Sequence, residues 1–249
     1  MNLLVMKFGG ASVKTSQSIT QIANLICERS KSVEKLVVVV SAMGNTTDQL
    51  LALAHEVHPN PPRRELDMLV SVGERISMTL LAMALALKGK EAISFTGSQS
   101  GILTNEDHAD AKIISVKPMR IQRALSEGSI VIVAGFQGVS RKGEVTTLGR
   151  GGSDTTAVAL AVALGAQNVE FYKDVGGIFE RDPKVDPQAK LFKELSYQDA
   201  YQLVQQGAKV LHPRSIALAE KNGVQLHVIP GTVIGIRAER NPELIFEGA

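Results

Sequence analysis

The stretch Leu36-Val37-Val38-Val39-Val40-Ser41, running straight into Ala42-Met43-Gly44-Asn45-Thr46-Thr47, decides the architecture of the chain. A continuous β-branched run without polar alternation reads as a strand buried on both faces, the habit of parallel sheets rather than of sheets with one wet face. The small and hydroxyl residues that follow mark a turn into a helix over Thr46 to Val57. The same alternation recurs on both sides of it. Further strands are expected at Leu3 to Phe8, Ala92 to Phe95, Ile130 to Ala134, Val169 to Tyr172 and Val224 to Ile229. Apolar residues at helical spacing fill Ser16 to Arg29, Arg63 to Leu87, Met119 to Glu127, Asp154 to Leu164, Tyr197 to Gln206 and Ser215 to Asn222. The fold class is therefore α/β, a mostly parallel sheet with helices on both faces.

Pro59, Pro61 and Pro62 separate the second helix from the third, Asn105 to Asp110 reads as a surface excursion, and Ser140 to Val145 as a hairpin tip. With no internal repeat or low-complexity linker, the chain reads as one domain, 1–249, of two lobes meeting near Gly149. The cleft between them is expected at the carboxyl ends of the strands.

Bulk properties exclude several classes. At 249 residues, 44% hydrophobic and 21% charged, the chain is long enough for one large α/β domain. Its 27 basic and 25 acidic residues are interspersed and leave a formal charge of +2, so no basic stripe or acidic tail points to nucleic acid or a membrane surface. The single cysteine, Cys27, cannot form a disulfide within the chain and reads as a core thiol. The longest apolar run, Met78 to Leu87, falls short of the ~20 residues of a membrane span. Lys7 interrupts the first apolar stretch too early for a signal peptide, and the expected compartment is the cytoplasm.

Six stretches carry candidate chemistry. Lys7-Phe8-Gly9-Gly10-Ala11-Ser12-Val13 puts a lysine at a strand end before two glycines, a turn whose backbone amides can approach a phosphate. It also suits an ordinary β-α connection, and it is neither GxxxxGK[ST] nor GxGxxG. In Ser41 to Thr47 the threonines are helix caps or ligand groups, capping being the simpler reading. Gly73-Glu74-Arg75 lies within an apolar helical pattern, where a Glu-Arg pair alone is an ordinary ion pair.

The stretch Thr147-Leu148-Gly149-Arg150-Gly151-Gly152-Ser153-Asp154-Thr155-Thr156-Ala157 says most. Glycines, an arginine and a Ser-Asp pair at a helix start suit anion binding, although Ser153 and Asp154 also fit an N-cap and an acidic first turn. Tyr172 to Lys184 is a strand end followed by a charged loop that suits a purine and ribose, or a solvated crossover. Gly207-Ala208-Lys209-Val210-Leu211-His212-Pro213 sets Lys209 to reach the cleft and His212 as a structural histidine. His55, His58, His108 and His227 have no metal-ligand spacing.

Taken in this order, KFGGASV, GRGGSDTTA, the KDV…DP loop and GAKVLHP resemble the aspartate kinases of the amino acid kinase superfamily, over essentially the whole chain. The resemblance implies a three-layer αβα sandwich on a mainly parallel sheet of about eight strands. It places an amino-acid-binding lobe at about 1–149 and a nucleotide-binding lobe at about 150–249. The implied reaction is phosphoryl transfer from ATP, with Mg2+, to the β-carboxylate of L-aspartate, the first step toward lysine, threonine, methionine and diaminopimelate.

By the same resemblance Lys7, Asp154 and Lys209 are catalytic, and Thr47, Glu74, Arg150 and Ser153 bind the amino acid. Lys7, Phe8, Gly9, Gly10, Lys173 and Asp174 face ATP, as do Phe179, Glu180, Arg181, Asp182, Pro183, Lys184 and Lys209. No side-chain metal site is implied. Such enzymes usually continue into paired ACT domains, whereas this chain stops at Ala249. The expectation is a catalytic domain without feedback inhibition in cis, with a homodimer or a separate regulatory subunit as protein partner. An acetylglutamate kinase and a catalytically silent nucleotide-binding subunit are the alternatives. GRGGSDTTA and GAKVLHP speak against the first, retention of Lys7, Asp154 and Lys209 against the second.

Overall fold

The computed structural model describes residues 2–181, 185–186, 188–208, 210–235, 241 and 243–248. Asp182, Pro183, Lys184 and Lys209, all expected at the nucleotide, lie outside the described residues. In chain order the first half runs β1 (Leu3–Phe8), α1 (Ser16–Arg29), β2 (Lys35–Val40), α2 (Thr46–Val57), α3 (Arg63–Val70), α4 (Val72–Ala86), β3 (Ala92–Phe95), β4 (Ile102–Thr104), β5 (Ile113–Val116) and α5 (Met119–Ser126). It continues with β6 (Ile130–Ala134), β7 (Gln137–Ser140), β8 (Val145–Thr147), α6 (Gly152–Leu164), β9 (Asn168–Tyr172), β10 (Ile178–Phe179), β11 (Leu191–Phe192) and β12 (Glu194–Leu195). The last elements are α7 (Tyr197–Gln205), α8 (Pro213–Asn222), β13 (Gln225–Ile229) and β14 (Thr232–Ile234).

Among the described residues an eight-stranded sheet has the order β12-β14-β13-β9-β1-β2-β6-β3, and only the β13 and β14 neighbours are antiparallel. The pleat divides the continuous apolar runs between two cores. Val5, Val37, Val39, Val131, Val133, Val169 and Phe171 face a layer built on α5, α6, α7 and α8. Leu4, Met6, Phe8, Leu36, Val38, Val40 and Ile132 face α1 and α4. On α1, Ile19, Ile22, Ala23 and Ile26 recur every three or four residues and are buried, while Thr15 caps the helix by accepting from Ser18 N at 3.1 Å. Each fully buried aliphatic side chain of this kind contributes roughly 1.5–3 kcal/mol.

Helix α6 differs. GSDTTAVALAVAL has no polar stripe and is buried from Gly152 to Val162, as expected of a helix covered on every side. Alternation then determines where the charges go. Lys7 follows Met6 and shares the face of Val5, so its amine projects toward α6 rather than α1.

Several expectations change. The helical run expected over Arg63 to Leu87 is divided at Ser71, whose carbonyl accepts from Gln137 Nε2 at 2.9 Å. By length and composition the run Arg63–Ala86, with a mean hydropathy of 1.5 over its most apolar 18 residues, would pass for a membrane-crossing helix. Its packing is that of a core helix, with Leu81 and Leu85 fully buried against the sheet. A second sheet, β5-β4-β7-β8, was not expected, because its strands are three or four residues long and lack the continuous apolar run of the main sheet. Ser140 to Val145 is indeed the tip of the β7–β8 hairpin. Asn105 to Asp110 lies at the surface as expected, with Glu106, Asp107 and Asp110 exposed, but it is tied to α3 through Asp67. Cys27 is only partly buried, at the edge of the α1 core.

Candidate active site

Two strand ends and one helix start meet at a single carboxylate. Asp154, in the first turn of α6, accepts from Lys7 Nζ at 2.6 Å and from Lys173 Nζ at 3.0 and 3.1 Å. Register explains the convergence: Lys7 lies opposite Phe171 in the β1–β9 pair, and Lys173 follows two residues later on the same face, its amine 5.9 Å from the Phe171 ring. Burial pushes the Lys7 amine down to about 8, and the second cation Lys173 adds to the fall, while Asp154 resists it. Burial alone would raise the Asp154 carboxyl, but two amines outweigh it and hold it below the usual carboxylate range. One carboxylate serving two amines leaves a net positive cluster aimed at the cleft.

The cleft is a cavity of about 510 Å³, and Lys7, Asp154 and Gly10 line it. All four residues expected to bind the amino acid, Thr47, Glu74, Arg150 and Ser153, line it as well. The capping readings fail in detail. The N-cap of α2 is Asn45, with no side-chain bond; Thr46 turns its hydroxyl to Met43 O at 2.6 Å, and Thr47 is left facing the cavity. The N-cap of α6 is Gly151, not Ser153. Gly151 has φ 72°, and a Cβ there would lie 2.1 Å from the His212 ring, so both conformation and space require glycine.

Glu74 is 3% exposed. One of its oxygens accepts from Ala42 N at 3.1 Å, and Oε2 finds no hydrogen-bond partner among the described residues. Burial raises its carboxyl to about 7. A buried carboxylate oxygen beside an open cavity is costly unless a ligand donor meets it. Arg150 is exposed and makes no hydrogen bond or ion pair among the described residues, so its five donors are available.

The residues expected at the nucleotide are less fully brought together. Gly10 O accepts from Gly44 N at 3.0 Å, which joins the two Gly-containing turns after β1 and β2. Helix α1 begins at Ser16, as expected, behind a turn in which Ser12 N and Val13 N donate to Gly9 O. Phe8 is a core residue, 1% exposed and stacked 4.7 Å from the Tyr172 ring. Asp174 lines a neighbouring cavity of about 370 Å³ with Ala11, Ser12 and Ser18. Phe179, Glu180 and Arg181 belong to a small hairpin, where Phe179 pairs with Leu191, Glu180 N donates to Lys190 O, and Arg181 bonds Asp186; none of the three lines the main cavity.

Sequence reasoning missed Asp67 and Arg214. Asp67 lines the cavity at 0% exposure, held by His108, Ala109 and Thr147. The available signal was an acid inside the otherwise buried face of a helix. Arg214, beside the GAKVLHP motif, bonds Glu247, Asp110 and the carbonyls of Leu148 and Ala111, bracing the turn that bears Arg150. His212 is structural, as expected: it caps α8, and burial, with Arg214, lowers its pKa. No group of three or more His, Cys, Asp and Glu side chains gathers among the described residues.

Comparison with known proteins agrees with this geometry. A family model described as the amino acid kinase family matches residues 2–230. An aspartokinase of Geobacillus stearothermophilus is 51% identical over 254 aligned positions, spanning 100% of this chain and 62% of its own length. An aspartokinase of Bacillus sp. (strain MGA3) is 46% identical with the same coverage. The chain thus spans about 62% of the length of these curated relatives. Among solved structures, aspartate kinase from Synechocystis superposes with a TM-score of 0.87 at 44% identity, over 98% of this chain and 41% of that one. E. coli aspartokinase III in complex with aspartate and ADP gives 0.83 at 28% identity, over 95% and 65%. A UMP kinase from Bacillus anthracis, 22% identical with a TM-score of 0.66, shares the fold.

Proposed function

The chain belongs to the amino acid kinase family, and from that premise we propose that it is an aspartate kinase, transferring the γ-phosphoryl group of ATP to the β-carboxylate of L-aspartate. The observation that carries the reading is the buried Lys7–Asp154–Lys173 cluster opening on a cavity that also holds Thr47, Glu74, Arg150 and Ser153. Relatives named aspartokinase, and a similar structure in complex with aspartate and ADP, support it.

The chemistry suits these groups. A side-chain carboxylate with an ordinary pKa of about 3.9 is already ionised at neutral pH, so the nucleophile needs no general base. The obstacle is the approach of two anions. Lys7 meets the transferred phosphoryl oxygens, Lys173 reinforces the positive field, and Asp154 keeps both amines oriented and protonated. The backbone amides at Gly9 and Gly10 and the side chains of Lys209, Asp174 and the Phe179 to Lys184 loop are assigned to the nucleotide. Arg150 pairs with the α-carboxylate of the acceptor through parallel hydrogen bonds, and Glu74 Oε2 accepts from its α-ammonium. Ser153 and Thr47 supply hydroxyls.

Mg2+ enters as the counter-ion of the nucleotide, Mg-ATP. Asp154 already accepts from Lys7 and Lys173, so its charge is committed first to the two amines. The same reading assigns the reaction to the cytoplasm and to the start of the aspartate-derived amino acids. The test is direct. The purified chain is incubated with Mg-ATP and aspartate, acetylglutamate or no acceptor, and acyl phosphate is trapped with hydroxylamine. Hydroxamate with aspartate alone is expected; product only with acetylglutamate, or with neither, overturns the assignment.

A further inference from the structure

Asp67 sits in α3, outside every motif used above, yet it is fully buried and lines the acceptor side of the cavity. Its carboxylate gathers three segments. His108 Nδ1 lies 2.6 Å from Oδ2, Ala109 N donates to both oxygens at 3.1 and 3.2 Å, and the Thr147 hydroxyl donates to Oδ1 at 2.5 Å. Ala109 has φ 70°, a conformation that residues with a Cβ rarely adopt. Its carbonyl is pressed against Gly149, where an added Cβ would meet Ala109 O and Asp110 Oδ1 at 3.0 Å each. Gly149 immediately precedes Arg150. On the far side the Arg214 guanidinium bonds Leu148 O and Asp110, so the turn is braced from both directions.

We propose that Asp67 is a positioning residue for the acceptor. By holding Ala109 in its left-handed conformation and Thr147 at the end of β8, it fixes the Leu148–Arg150 turn so that the guanidinium meets the acceptor carboxylate. This rests on the assignment of Arg150 to that carboxylate. Asp67 touches neither nucleotide nor phosphoryl group in the scheme above, so its loss is felt in acceptor recognition rather than in the transfer step.

The experiment uses the full chain in two independent readouts. In the hydroxylamine assay, Asp67→Asn keeps the side-chain shape but replaces one acceptor oxygen with a donor; KM for aspartate is expected to rise on the order of tenfold, with KM for Mg-ATP and kcat within about twofold. Thr147→Val, a milder change, moves KM for aspartate in the same direction, and Thr147→Ser, which keeps the hydroxyl, restores it. Ala109→Gly in the Asp67→Asn background recovers part of the lost affinity, because glycine adopts this φ without help from a carboxylate.

The second readout is hydrogen exchange of the substrate-free protein. Asp67→Asn, or Thr147→Val if the former does not fold, is expected to lose protection at residues 108–110 and 148–152 while residues 36–40 of β2 keep theirs. That readout is independent of the acceptor. Failure of the wild-type chain to turn over aspartate would therefore overturn the substrate assignment, and exchange would still decide the role of Asp67. Protection lost evenly across the fold, unchanged locally, or a parallel rise in both KM values overturns the inference.

Discussion

The Lys7 amine stands 2.6 Å from the Asp154 carboxylate, and both residues are almost wholly buried. Such a pair is not a general source of stability, since desolvation offsets most of the attraction. Its consequence is asymmetric. Removing Lys7 leaves Asp154 still paired with Lys173, whereas removing Asp154 leaves two neighbouring amines without a counter-charge.

Lys7→Ala is therefore expected to fold with near wild-type melting behaviour while turnover falls at least a hundredfold, the usual loss when one charge-stabilising donor is deleted, ~3 kcal/mol of barrier. Asp154→Ala is expected to cost about 3–5 kcal/mol of stability as well as activity. Urea melts beside the hydroxamate assay separate the two. Near-normal activity in Lys7→Ala would remove that amine from the mechanism.

Arg150→Lys tests acceptor recognition. Lysine keeps the charge but not the planar fork, so parallel hydrogen bonds to a carboxylate are lost. KM for aspartate should rise by about tenfold or more, equivalent to ~1.4 kcal/mol, with KM for ATP little changed. Equal shifts in both constants would make Arg150 a structural residue.

The main sheet and most of the cleft were legible for one physical reason: a buried parallel strand must be continuously apolar, and its end must then present the chemistry. Leu3 to Phe8, with Lys7 near its end and Gly9-Gly10 behind it, and Val169 to Tyr172, followed by Lys173, announce themselves in this way. The second sheet did not, because strands as short as Ile102–Thr104 carry too few residues for a period to emerge. The Asp67 network was hidden for a different reason. Its partners, His108, Ala109 and Thr147, are 41, 42 and 80 residues away, and no spacing rule spans such separations. Phe8 shares a motif with Lys7, but the pleat turns the two side chains to opposite faces, so the Phe8 ring belongs to the α1 core and only its backbone is left to the turn.

Gly151→Ala examines the contact between the two glycine-bearing motifs. The change forces a Cβ into φ 72° and against the His212 ring 2.1 Å away, so α8 must shift from the start of α6. The left-handed conformation costs about 1–2 kcal/mol and the displaced packing about 1–3 kcal/mol more. A urea midpoint indistinguishable from wild type would show that His212 moves aside freely. Gly143→Ala makes a fair control for backbone strain alone, since Gly143 also has positive φ but no atom within 4 Å of an added Cβ.

The pH profile follows from two buried groups shifted in opposite directions. Burial takes Lys7 from 10.5 down to about 8, so the cation needed at the phosphoryl group is present below pH 8 and lost above it. Burial takes Glu74 from 4.5 up to about 7, so the carboxylate needed by the acceptor ammonium is present above pH 7 and lost below it. For aspartate, kcat/KM, which reports the free enzyme, should follow a narrow bell with limbs near these values. Stability runs the other way on each limb. Between pH 8 and 10.5 the unfolded chain holds the Lys7 proton and the native chain does not, so Lys7 makes stability rise with pH while activity falls. Between pH 4.5 and 7 the native chain holds the extra proton on Glu74, whose contribution to stability is full below pH 4.5 and fades as pH climbs through 7. Glu74→Gln should erase the acid limb, weaken aspartate binding by about tenfold or more, and flatten the stability change between pH 5 and 7. An acid limb that survives in Glu74→Gln belongs to another group, and the assignment of Glu74 to the acceptor ammonium then fails.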